Sequence, residues 1–167
     1  VDGIGRVEAT VACCGGRFLH VDATRHGWTI EQESANELCR QGHVIKQAAN
    51  AVLQEPAGSV LFYEDLAPDH ARHLVALESN KFDRSPCGTG SSSRLAALHA
   101  RGALKTGQTF QAESVLGLRY RCRIEYTLED KGHAAVRPRL DGEAWLSAFS
   151  TLVVEDNDPL AGGFLCR

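Results

Sequence analysis

The sequence predicts an α+β domain, a curved and mainly antiparallel sheet around a central buried helix. Three observations carry this. Short β-branched or alternating runs, separated by turn signals, fill much of the chain. The segment Ser91 to Arg101 is apolar nearly all round, as a helix enclosed in a core must be. With 167 residues, 43% of them hydrophobic, the chain has material for one core and is too short for two, so residues 1-167 are read as a single domain.

Val7 to Ala12 is rich in β-branched residues, and Gly15-Gly16 separates it from the apolar run Phe18 to Val21, which predicts a hairpin. Thr29-Ile30-Glu31-Gln32 has capping-box spacing, and Ala35, Leu38, Cys39, Gly42, Ile45, Ala49, Val52 and Leu53 then fall on one helical face, with an interruption expected near Gly42-His43. After Pro56 come two short strands, Ser59 to Tyr63 and His73 to Leu77, joined by an exposed polar loop from Glu64 to Arg72. The buried helix Ser91 to Arg101 is closed by Gly102. From Thr109 the pattern is a meander, with turns at Thr106-Gly107, Gly117, Lys131-Gly132 and Asp141-Gly142. Its clearest strand alternates Leu118, Tyr120, Cys122, Ile124 and Tyr126 with Arg119, Arg121, Arg123 and Glu125. At period 2 the arginines form the solvent face of a half-buried strand.

The 18 Lys and Arg against 21 Asp and Glu give a formal charge of -3, which offers no footprint for nucleic acid. No apolar stretch approaches the roughly 18 to 20 residues that span a bilayer, so neither nucleic acid nor membrane is expected as a partner. Six cysteines, irregularly spaced and without a Cys-x-x-Cys pair, read as reduced thiols rather than a disulfide framework, which predicts a cytoplasmic setting. His70 and His73 beside Asp69 and Glu64 have a spacing that invites a metal, but on an exposed loop they are read as solvated side chains, and no metal site is expected. His99, well along the buried helix, is read as a core histidine.

The segment Asp83-Arg84-Ser85-Pro86-Cys87-Gly88-Thr89-Gly90-Ser91-Ser92-Ser93 stands apart. Pro86 fixes the approach to Cys87, while Gly88 and Gly90 allow a tight turn and a close approach to a ligand. Free N–H groups at the start of the following helix make an anion site. A thiol there is expected to have a lowered pKa, and Asp83 is placed to pair with a cation on the same ligand. A carboxylate cradle, an ammonium partner and a thiol base are what holding an amino acid and exchanging its α-proton require. An inert buried thiol in a glycine-rich turn remains the plainer alternative. The Gly-x-x-x-x-Gly-Lys-Ser/Thr phosphate loop is absent, and nothing selects a histidine partner for a hydrolase.

Asp83 to Gly90, with Arg94 to Gly102 and Glu113-Ser114, closely resembles the second-cysteine motif of the proline racemase and hydroxyproline epimerase family. The resemblance extends to Ala12 to Ala23 with its Gly15-Gly16, to Glu37-Leu38 through Gly42, and to Asp158-Pro159-Leu160 through Gly163-Phe164. It implies one lobe of a diaminopimelate-epimerase-like fold. It also implies racemisation or 2-epimerisation of proline or hydroxyproline without a cofactor: one cysteine thiolate removes the α-proton and a second thiol returns one to the opposite face. On this mapping Cys87 is one of the pair, Asp83 binds the ring nitrogen, and the backbone amides of Gly88 and Thr89 bind the carboxylate. Cysteine at this position favours racemase or epimerase chemistry over the dehydratases of the family, which usually carry threonine there.

The departure is one of length. Family members are about twice as long, with two similar halves and a Cys-Gly-His motif in the first. No Cys-Gly-His occurs here, and Cys13-Cys14-Gly15-Gly16 falls in a different part of the pattern. Together with the absence of Met and the start at Val1, this predicts the second half of a two-lobed enzyme whose first lobe is absent, needing that lobe or a second chain as partner. The alternative is a non-catalytic, one-lobed protein that binds a small carboxylate or serves in assembly.

Overall fold

A computed structural model describes residues 1–163 of the chain. Phe164, quoted above, and Cys166 lie outside the described residues. The strands are β1 (Ala9–Cys14), β2 (Gly16–Asp22), β3 (Ser59–Ala67), β4 (His70–Glu78), the two-residue β5 (Lys81–Phe82), β6 (Thr109–Ser114), β7 (Arg119–Asp130) and β8 (His133–Asp141). Two helices, α1 (Ala35–Asn50) and α2 (Gly88–Ala100), interrupt them. The sheet runs β1-β2-β3-β4-β6-β7-β8, with β5 paired to β4. β2/β3 and β4/β6 are parallel and the other pairs antiparallel, so the expected mainly antiparallel sheet is what forms.

Each parallel pair is joined through a helix, because a tight turn cannot return a chain in the same direction. The two helices lie on opposite faces of the sheet. Val60, Phe62, Leu74 and Ala76 pack with Leu38, Cys39 and Ile45 of α1. Their neighbours Leu61, Tyr63 and Val75 face α2 and Cys87. The Val60 to Tyr63 stretch of β3 is therefore buried on both faces and reads as a continuous apolar run. The sheet curls so far that α2 touches β1 and β2 at one end and β7 and β8 at the other, enclosing the helix as its sequence required.

Several local expectations are corrected. The Thr29 to Gln32 capping box does not form: α1 starts at Ala35, and the Ser34 hydroxyl donates to the carbonyls of Thr29 and Glu31 instead. α1 runs unbroken through Gly42. A Cβ there would stand 2.8 Å from the Ala76 Cβ and 3.1 Å from Phe62 Cε2, so Gly42 permits close helix-to-sheet approach rather than a break. The helix stops before Val52 and leaves it exposed. The polar loop from Glu64 to Arg72 is mostly strand, with the turn confined to Pro68-Asp69. Its charges escaped a strand reading because ion pairs carry them: His70 and Arg72, with Arg119 of β7, all reach the Glu113 carboxylate on β6. Burial would raise the Glu113 pKa, but the hydrogen bonds from Arg72 and Arg119 outweigh it and hold the carboxyl below its ordinary value. The hairpin at Gly15, the meander from Thr109 and the exposed arginines of β7 form as expected. No helix among the described residues is long and apolar enough to cross a membrane.

Candidate functional site

α2 begins at Gly88, three residues before the predicted start, because the glycine-rich turn is its first turn. Cys87 is the N-cap. Its Sγ accepts the Gly90 N–H at 3.3 Å, the place a serine or aspartate oxygen usually takes. Its backbone has φ 64°, a region that side-chain-bearing residues avoid and that tends to persist where function requires it. The turn is held from both sides. Asp83 Oδ1 accepts the Ser85 amide at 3.0 Å and the Ser85 hydroxyl at 2.8 Å, and that hydroxyl oxygen in turn accepts the Cys87 amide at 3.1 Å.

Asp83, Cys87, Gly88 and Thr89 are thus brought together on one turn at the N-terminal end of α2. Gly88 and Thr89 are exposed, and among the described residues their amides, the first two of the helix, have no acceptor. The open space in front of them, about 480 Å³, is bounded by Ser92, Tyr120, Leu140 and Gly142. Cys87 itself is buried. The expected lowering of its pKa is not what these surroundings give. Burial pushes the thiol above its ordinary value, the Gly90 N–H and Thr89 hydroxyl pull it down, and the adjacent Asp83 carboxylate raises it again. The uncharged thiol is the resting form.

The two glycines differ. A Cβ on Gly90 would press on Cys87 Sγ and on Leu61 Cδ1, both at 3.1 Å, so this glycine seats the thiol against the sheet. A Cβ on Gly88 would meet nothing within 4 Å, so the fold does not need glycine there and the space in front of the amides does.

Beneath the turn lies a polar layer that sequence reasoning missed. Ser91, Ser92 and Ser93 return their hydroxyls to the carbonyls of Pro86, Gly88 and Gly90, which makes a serine run compatible with burial. With its proton given to Gly90, Ser93 Oγ accepts from His20 Nε2 at 2.8 Å, which fixes the His20 tautomer. Arg94 is fully buried, stacked 3.5 Å above the Tyr63 ring and bonded to Asp65. His73 lies against Phe110 with neither ring nitrogen partnered. Burial, reinforced by Arg94, lowers both histidines to about 3, so both are neutral. The Asp-x-Ser spacing before Cys87 was a readable signal for the Ser85 bridge. No local pattern announces His20 or His73. His70 and His73, three apart on β4, point to opposite faces, and His99 binds the Leu104 carbonyl at 2.9 Å.

Comparison with known proteins bears on the family and fold of the chain. The proline racemase family model matches residues 1–165. A proline racemase of Clostridioides difficile is 31% identical over 176 residues, covering 99% of this chain and 52% of that protein. Among solved structures, a hydroxyproline epimerase from Agrobacterium vitis with bound trans-4-hydroxy-L-proline superposes with a TM-score of 0.86 at 28% identity, covering 99% of this chain and 50% of its own. A probable proline racemase from Agrobacterium radiobacter K84 with bound carbonate gives 0.85 at 28% identity, with coverages of 99% and 52%. The chain spans about half the length of these relatives. The fold likeness extends over nearly all of it.

Proposed function

This chain belongs to the proline racemase family, and from that premise we propose that it supplies one catalytic lobe of a cofactor-independent isomerase that racemises proline or 2-epimerises hydroxyproline. The observation that carries the reading is the buried Cys87 thiol capping a helix whose first two amides are free, with a carboxylate alongside. Gly88 and Thr89 donate to the substrate carboxylate and to the negative charge that develops on it when the α-proton leaves. Asp83 receives the cationic ring nitrogen. Placing that cation on Asp83 cancels the carboxylate's upward push on the thiol, so substrate binding itself prepares Cys87 to ionise.

In one direction a Cys87 thiolate takes the α-proton as S–H while a second thiol gives its proton to the opposite face of the carbanion. In the other direction the roles reverse. Each turnover leaves one thiol and one thiolate, with no net redox change. The ligands of the two solved relatives, a cyclic imino acid and a small anion, are of the class this pocket suits. The five described cysteines are free thiols, in keeping with a reducing, cytoplasmic setting.

The test is incubation of the purified 167-residue chain in D2O with L- and D-proline and the 4-hydroxyprolines, following α-proton loss by NMR and configuration by chiral chromatography. α-Deuteration is expected with Cys87 as the base, and inversion only where a second thiol faces it. Binding without deuteration would leave only a carboxylate-binding lobe and overturn the catalytic reading. Gly88→Ala should raise KM about tenfold or more, corresponding to about 1.4 kcal/mol, by intruding on the carboxylate position. It should leave thermal stability equal or slightly higher, since alanine favours the helix. An unchanged KM would remove Gly88 from the cradle.

A further inference from the structure

Among the described residues, side-chain hydrogen bonds tie α2 to the sheet at two places: Arg94 reaches Asp65 of β3, and His20 of β2 reaches Ser93. Only the second leads back to the Cys87 turn. His20 Nε2 donates to Ser93 Oγ at 2.8 Å, the Ser93 hydroxyl donates to the Gly90 carbonyl at 2.8 Å, and the Gly90 N–H donates to Cys87 Sγ at 3.3 Å. The sulfur thus stands at the end of a polar chain that begins on β2. Packing converges on the same residue. His20 and Leu61 are register neighbours on β2 and β3, and Leu61 Cδ1 is what a Cβ on Gly90 would strike at 3.1 Å. Gly90 is gripped from the sheet by contact through Leu61 and by a directed bond through His20.

Stability alone would not select this histidine. It is 2% exposed, and its Nδ1, the acceptor nitrogen of the fixed tautomer, has no partner. An apolar side chain would fill the place, as Phe18 does two residues earlier on the same face, and would leave no buried nitrogen unpaired. An unpaired buried polar atom is destabilising, and such departures gather where a site needs the group. Nor does Ser93 need a histidine in order to sit in a helix, since Ser91 and Ser92 are satisfied by bonding back to carbonyls of the preceding turn. What His20 adds is direction. With the Ser93 oxygen occupied by the His20 N–H, the hydroxyl proton is committed to Gly90.

We propose that His20 is a positioning residue for Cys87, which through Ser93 holds Gly90 where its N–H meets the sulfur. It touches neither the thiol nor the space in front of the helix. Without it the Gly90 amide is free to move off the sulfur, and the thiolate loses a hydrogen bond that favours its formation. Burial lowers the His20 pKa to about 3, so the donor stays uncharged throughout the range in which a thiol titrates. The consequence for α-proton exchange rests on the isomerase reading, whereas that for the thiol does not.

The test is a carbon NMR titration of the full chain, isotopically labelled at the cysteine Cβ, with the Cys87 signal identified by its loss in Cys87→Ser. His20→Leu, which lacks the donor, should raise the Cys87 midpoint by about one pH unit. Ser93→Ala should do the same, and it carries the test where His20→Leu does not fold, since alanine suits the helix. Combining the two should add nothing, because they break one chain. His20→Gln, whose amide nitrogen stands as many bonds from the backbone as Nε2, should restore the wild-type midpoint. Asp83, the charge beside Cys87, is present throughout. Ile45→Ala, in the core on the other face of the sheet, should lower the melting temperature and leave Cys87 unmoved. An unmoved midpoint in the folded variants, no rescue by glutamine, or an equal rise in Ile45→Ala would overturn the proposal. In exchange assays at neutral pH, His20→Leu should lower kcat about tenfold and leave KM unchanged. A raised midpoint beside a wild-type chain that exchanges no α-proton would leave the role of His20 standing and defeat the isomerase reading. Wild-type exchange beside an unmoved midpoint would do the reverse.

Discussion

Cys87→Ser should lower the rate of α-proton exchange by about 10²- to 10⁴-fold, the usual contribution of a positioned proton-transfer group. A serine hydroxyl is far less acidic than a thiol and does not form the anion that abstracts the proton. The same substitution should leave the domain folded and proline bound. Serine is a better N-cap than cysteine for the Gly90 N–H, and the carboxylate contacts come from backbone amides that the change does not touch. Thermal melts at or above wild type, calorimetric affinity within a few-fold and exchange lost together would separate chemistry from folding. Exchange within tenfold of wild type would remove Cys87 from the reaction.

The second large effect is on stability in acid. His20 and His73 have folded pKa values of about 3 against 6.5 when exposed, so between those values the unfolded chain binds more protons and stability falls as pH falls. From pH 7 to pH 5 the two together cost up to about 4 kcal/mol, a large share of a domain's 5–15 kcal/mol. The neighbouring charges act the same way: Arg94 on both rings, Arg101 on His20, and His20 and, from the other face of β4, His70 on His73, with only the nearby Pro86 carbonyl acting against them. The window opens above the carboxylates, whose paired members Glu113 and Asp141 lose their contribution only below about 4.5. Urea midpoints should drop between pH 7 and pH 5. His73→Phe, which keeps the packing on Phe110 and removes a titratable ring, should roughly halve the drop. Equal slopes in the two proteins would contradict this account.

What could be read in the sequence was what local chemistry dictates. The buried helix announced itself by lacking a polar face, β7 by its period of two, the hairpin by Gly15-Gly16, and the site by glycines, proline and cysteine compressed into one turn. What could not be read depends on partners distant in sequence. Residues 64 to 72 looked like a loop because nothing local says that Glu113 awaits His70 and Arg72 across the sheet. The Cys87 pKa went the other way because a helix terminus is a local feature and burial is a tertiary one. His20 and His73 sit in strands where a polar residue signals solvent, and only the curl of the sheet puts them under α2.

The placing of the two helices has a cause in handedness. β2-α1-β3 and β4-α2-β6 step the same way along the sheet, but the β3/β4 hairpin between them turns the second pair of strands upside down relative to the first. Such crossovers are right-handed in nearly every known case. Two right-handed crossovers that step in one direction from oppositely pointing strands must pass over opposite faces. One antiparallel turn at Pro68-Asp69 therefore sends α1 to the outside and α2, with Cys87 at its head, to the inside of the curl. Were that hairpin replaced by a third crossover, the same rule would carry the cysteine helix to the outer face, beside α1.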